Sequence, residues 1–121
     1  MVLVDTSVWI DHLRTGDAHL TRLLEQGMVV GHPCVAVELS LGRIRNRAVV
    51  LELIRNLPSV PVATPDELFH FIEARELGGG GVGYVDASLL ASAVLDGAVC
   101  LWTRDRALHG AAEALGVAYA A

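Results

Sequence analysis

Short apolar runs alternate with amphipathic stretches along this chain, and the alternation sets its predicted elements. Val2-Leu3-Val4 is the kind of unbroken aliphatic run that a strand covered on both faces carries. From Ser7 to Arg14, Val8, Trp9, Ile10 and Leu13 recur at helical spacing. Asp17 to Gln26 continues with Leu20, Leu23 and Leu24 on one face before Gly27 ends it. Met28-Val29-Val30 reads as a second strand. Pro33 opens a helix running to about Ile44, and Val49, Val50, Leu53, Ile54 and Leu57 mark another, ended by Pro58. A short Val60-Pro61-Val62 strand follows. Thr64-Pro65-Asp66-Glu67 has the form of a cap and first turn for a helix to Leu77, interrupted by the glycines from Gly78 to Gly83. Asp86 starts the next helix, which ends near Gly97. Val99 to Trp102 is a strand, Asp105 to Leu115 the last helix, and Val117-Ala118-Tyr119 an edge strand.

Strands separated by helices imply right-handed crossovers and a parallel sheet. The predicted fold class is therefore α/β, with a central parallel sheet of four to five strands and helices on both faces. Residues 1–121 form a single predicted domain, long enough to bury roughly two-thirds of the surface of the unfolded chain. Hydrophobic residues make up 53% and charged residues 19%, a balance that favours a packed globule over disorder. No apolar run reaches the roughly 18 residues of a membrane span, and the start of the chain lacks the pattern of a signal peptide. A cytoplasmic protein without membrane partners is expected. Cys34 and Cys100 lack C-x-x-C spacing and read as buried free thiols.

Within this apolar frame stand four acids: Asp5, Glu38, Asp86 and Asp105, each inside or at the end of an apolar segment. A carboxylate taken out of water without a partner costs several kcal/mol, so four of them beside core segments ask for a shared positive partner, most simply a divalent metal ion. In open α/β sheets, sites form beyond the carboxyl ends of the strands, and Asp5 and Asp105 follow two of the predicted strands directly. Asp86 at a helix start and Glu38 within a helix approach from the sides. Each acid also has a plainer reading: Asp5, Asp86 and Asp105 as helix caps, Glu38 as an exposed glutamate. Magnesium and manganese are hard ions that favour carboxylate oxygens, so an acid-only site suits them, whereas the five histidines are scattered without zinc-like pairing.

Charge sharpens the picture. The net charge of −5 speaks against a general grip on phosphates, yet all nine cations are arginine. Arg43, Arg45 and Arg47 cluster after Glu38, and Arg104 and Arg106 flank Asp105. Arginine binds phosphate in a planar, bidentate manner, and as a group these five read as a phosphate-facing rim, while singly each is compatible with a solvated salt bridge. The glycine stretch lacks the lysine and Ser/Thr of a P-loop and reads as a loop beside Asp86.

The segments Val4-Asp5-Thr6-Ser7-Val8-Trp9-Ile10, Glu38-Leu39-x-x-Gly42, Asp86 before an alanine-rich helix, and Leu101-Trp102-Thr103-Arg104-Asp105 resemble the PIN-domain nucleases. The short single-domain form resembles the VapC-type toxins of bacterial toxin–antitoxin pairs. The likeness spans essentially the whole chain, and it is the ordered set of acids rather than any one motif that carries it. It implies an endoribonuclease that uses Mg2+ or Mn2+ at the acidic tetrad Asp5, Glu38, Asp86 and Asp105, with Thr6, Ser7 and Thr103 as supporting polar neighbours. RNA is the implied substrate, cut to leave 3′-hydroxyl and 5′-phosphate ends. The implied partners are a VapB-type antitoxin and a second copy of the chain. One departure is Arg106-Ala107-Leu108 after Asp105, where many members carry another acid or polar residue. A catalytically weak PIN-fold module that acts only through its antitoxin is the alternative. A phosphorelay receiver would need a late lysine, and the chain has none.

Overall fold

The computed structural model describes residues 1–121 and is organised around one short strand. This strand, β1 (Val2–Val4), is buried along its whole length, which requires cover on both faces. It pairs in parallel with β2 (Val29–Val30) on one side and β3 (Cys100–Trp102) on the other, giving the order β2-β1-β3. The register sets Leu3 against Val30 and Leu101, and Val4 against Trp102.

Seven helices connect and cover these strands: α1 (Thr6–Thr15), α2 (Ala18–Glu25), α3 (Pro33–Ser40), α4 (Arg47–Arg55), α5 (Pro65–Ala74), α6 (Tyr84–Asp96) and α7 (Arg106–Ala114). Local chemistry accounts for most of their ends. Thr64 and Glu67 close the expected capping box on α5, with each side chain accepting from the other's backbone N–H. Gly97 ends α6 at φ 76°, a left-handed conformation that glycine adopts without strain. His32 caps α3 through Nδ1, which accepts from the Cys34 N–H at 3.0 Å.

The sheet has three strands, not the four to five expected. The segments around Val60 and Val117–Tyr119 each contribute a single parallel bridge, Gly31 with Ser59 and Leu101 with Ala118. Pro61 lacks an N–H for a ladder, which keeps the first of these bridges from extending into a strand. A second difference lies in α3, which stops at Ser40 instead of Ile44. Here the Arg47 guanidinium donates to the carbonyls of Ser40 and Gly42, which lets the chain turn away into the loop before α4.

One core cluster of 21 buried residues joins β1, β2 and β3 to Val8, Trp9, Leu20, Val35, Leu89, Leu90 and Leu108. Ala87 to Ala93 of α6 are buried without interruption, so the middle of this helix is enclosed on every side; it packs against β3, α3, α5 and α7. Cys34 and Cys100 are free thiols, half-buried rather than fully buried. No helix is long and apolar enough to cross a membrane.

Candidate active site

Because Val4 lies beside Trp102, the residues that leave the carboxyl ends of β1 and β3 are neighbours, and the Asp5 N–H donates to the Trp102 carbonyl at 2.9 Å. Asp5 is only 4% exposed. Its Oδ2 accepts from the Ser7 hydroxyl at 2.7 Å, the Thr103 hydroxyl at 2.8 Å and, more loosely, the Ser7 N–H at 3.4 Å. Its hydrogen bonds all fall on Oδ2, which leaves Oδ1 free of protein donors. The same hydroxyls tie the two strand ends together: Ser7 Oγ accepts from the Arg104 N–H and Thr103 Oγ1 from the Asp105 N–H, both at 3.1 Å. Asp105 then caps α7, accepting from the Leu108 N–H at 2.8 Å.

Glu38 projects from α3, which packs on α1, and its Oε1 accepts from the Thr6 hydroxyl at 2.7 Å. It is half-buried, so the plain exposed reading does not describe it. Asp86 sits in the first turn of α6 but does not cap it. Gly83 occupies the cap, and the helix begins at Tyr84, two residues earlier than expected. The cap reading thus fails for Asp86. For Asp5 and Asp105 capping coexists with a place in the crevice, because one carboxylate oxygen serves the helix and the other remains free.

The electrostatics of Asp86 bring the four acids together. Its carboxyl is pushed up to about 6, first by burial and then by the negative charges of Asp5, Asp105 and Glu38. All three other acids act on this one group, so they share its locality across four separate elements. Uncompensated negative charge of this kind is what a cation relieves. The donor set is oxygen only, which suits a hard divalent ion. No three of the acids, histidines or cysteines close into a ready-made cage.

The arginines divide into two groups. Arg104, expected at a phosphate-facing rim, is instead held by Asp11 and Asp17, each at 2.7 Å, and lies over the Trp102 ring at 5.6 Å from its centroid. The Leu20 N–H and this guanidinium hold the Asp17 carboxyl below its ordinary range. Arg47 is occupied at the end of α3. Arg106 is exposed beside Asp105 and lines a shallow cleft of about 440 Å³ with His109 and Glu113. Arg43 and Arg45 line a groove of about 720 Å³ whose wall includes Glu38. Sequence reasoning missed Arg14, which lines the same groove, and the acids Asp11 and Asp17. Arg104 lies 93 and 87 residues from those two partners, so spacing along the chain carries no sign of the pairing.

Comparison with known proteins places the chain in a family. Residues 2–114 match the family model described as PIN domain. The chain is 51% identical over 120 residues to Ribonuclease VapC32 of two Mycobacterium tuberculosis strains, covering 99% of this chain and 97% of the relative. It also resembles the crystal structure of PAE2754 from Pyrobaculum aerophilum, with a TM-score of 0.61 and 20% identity over 91% of this chain and 83% of that one, a likeness of fold.

Proposed function

This chain belongs to the PIN-domain family in its VapC branch, and from that premise we propose how it acts. It is an endoribonuclease, the toxin member of a VapBC-type toxin–antitoxin pair. One observation supports the assignment most: burial, and then three carboxylates from the ends of β1 and β3 and from α3, raise the carboxyl of the fourth acid on α6. We assign the reaction to Asp5, Glu38, Asp86 and Asp105.

In this reading Asp5, Glu38 and Asp105 would hold Mg2+ or Mn2+, directly or through water, and Asp86 would be a further ligand or the group that orients the attacking water. When bound, such an ion supplies positive charge against the reacting phosphate and makes water more acidic. The chain contributes orientation. Ser7 and Thr103 fix the rotamer of Asp5 through Oδ2, and Thr6 fixes Glu38, so two acids are set before substrate arrives. Asp86 makes no such bond. Its carboxyl, near 6, lies in the range suited to exchanging a proton with water around neutral pH. Attack of water on phosphorus forms one P–O bond and breaks the bond to the 3′ oxygen, which leaves with a proton. The products are a 3′-hydroxyl and a 5′-phosphate.

Residues 1–121 act as one nuclease domain in the cytoplasm, paired as a homodimer and restrained by a VapB-type antitoxin. Exposed apolar side chains such as Val49 on α4 and Phe69 on α5 support a face covered by another chain. Arg106, exposed beside Asp105, is a phosphate contact in this reading.

The test is cleavage of a mixed transfer and ribosomal RNA pool with magnesium or manganese, with EDTA, and with Asp5→Asn. Cutting that needs the ion and disappears in the variant supports the assignment. Cutting at wild-type rate by Asp5→Asn overturns it. Absence of both cutting and metal binding would favour a module acting only through its antitoxin.

A further inference from the structure

The groove beside Glu38 combines two kinds of surface. Arg14, from the last turn of α1, lines it together with Arg43 and Arg45, from the loop that follows α3. All three are exposed, and none makes a hydrogen bond or ion pair within the chain, unlike Arg47 and Arg104. Between them lies apolar surface, including Ile10, which is 43% exposed, and Leu13. Glu38 lines this groove and its charge also acts on Asp86, so the groove borders the acidic cluster.

Charge makes that placement consequential. A protein of net charge −5 with four carboxylates at its centre repels a polyanion, so a nucleic acid strand is held there only if cations stand close by. Three unpaired arginines, one from α1 and two from the loop after α3, supply such cations in one groove. The aliphatic surface between them can be covered by the apolar faces of bases.

We propose that this groove carries the RNA strand on one side of the phosphate that is cut, with Arg14, Arg43 and Arg45 binding backbone phosphates and Ile10 and Leu13 lying under the bases. This rests on the nuclease reading above. An acidic, leucine-rich peptide matches the same apolar surface, but a strand whose phosphate sits at the acids finds three unpaired arginines where it passes Glu38, whereas the cleft beside Asp105 offers no apolar lining. That difference favours RNA.

The experiment is binding of a fluorescein-labelled, mixed-sequence single-stranded RNA to the Asp5→Asn protein without divalent ion, over a series of salt concentrations. Wild-type protein in EDTA serves as a second non-cutting form. Replacing Arg14, Arg43 or Arg45 by alanine should flatten the slope of log affinity against log salt by about 0.7 per arginine. The Arg→Lys variants should keep the slope, and Arg104→Ala should leave it unchanged. A triple alanine variant that retains its fold by circular dichroism and also the full slope overturns the proposal. So does failure of both non-cutting proteins to bind the RNA. So too does a triple variant that keeps RNA but loses an acidic, leucine-rich peptide, which would make the groove a peptide site. The two readings fail separately: cleavage by Asp5→Asn removes the acidic-site assignment, whereas the groove is read from binding alone.

Discussion

Asp5 and Asp86, two aspartates of the proposed site, are held in opposite ways. Asp5 follows the central strand, is almost fully buried, and has two hydroxyls and a backbone N–H on a single oxygen. Asp86 lies in the first turn of a helix, is half-buried, and accepts no hydrogen bond from the chain; burial and three like charges push its carboxyl up to about 6. The first is a group whose direction the fold has set. The second is a group whose charge its neighbours have set. A site built this way has a rigid side, where the strand ends fix geometry, and a responsive side, where protonation and cation binding compete for the same carboxylate.

Asp5→Asn gives the largest effect on this contrast, with loss of detectable RNA cleavage while the circular dichroism of the folded protein is retained. Thr103→Val comes next, because it removes one donor to Asp5 and the acceptor of the Asp105 N–H at once. Cleavage should fall by about 10- to 100-fold, the range for groups that orient metal-site ligands. Thermal unfolding of the same variant should show about 1–3 kcal/mol of lost stability, much of it from groups left without partners. If neither changes, the Asp5 side is not rigid in the sense argued.

Asp86→Asn tests the responsive side in metal-free protein. Its folded carboxyl lies near 6 against an ordinary value of 3.8, so the folded state holds the proton more tightly than the unfolded one. The penalty is absent below 3.8, grows as pH rises through that window, and is complete above about 6. Discounted for the solvent exposure of Asp86, it amounts to about 1 kcal/mol. Well above that pH, Asp86→Asn should melt about 3–6 °C higher than wild type, and the difference should vanish in acid. A melting temperature unchanged at all pH values would remove the like-charge account.

The smallest effect belongs to Arg104. Two ion pairs at partly exposed positions hold it, so Arg104→Ala should cost about 1 kcal/mol in urea unfolding, and that cost should shrink in high salt. A large loss of cleavage in this variant, with stability unchanged, would return Arg104 to the phosphate-facing rim.

Much of this was legible along the chain. Val2–Val4 read as a fully covered strand and is one, and Thr64 with Glu67 read as a cap and forms one. These features depend on periodicity and on bonds within a few residues, which sequence displays directly. The weaker segments were over-read: Val60-Pro61-Val62 and Val117-Ala118-Tyr119 have strand-like composition but gain only a bridge each. Pairing depends on a neighbour's register and length, and composition does not carry those. The fate of the arginines was equally hidden, since Arg104 finds its partners far along the chain and Arg14 meets Arg43 and Arg45 only because α1 packs on α3.

The sequence by itself determined which acids are candidates for the chemistry, the alternation that makes an α/β fold, and the two acids that follow strands. Only the tertiary structure decided that Val4 lies beside Trp102, and so that one pair of hydroxyls serves both strand ends. It also decided that Asp86 takes the charge of three acids from three other elements. The physical reason is range. Capping and periodicity act within one turn or one pleat, whereas hydrogen bonds and Coulomb forces between distant segments exist only after packing has closed the gap.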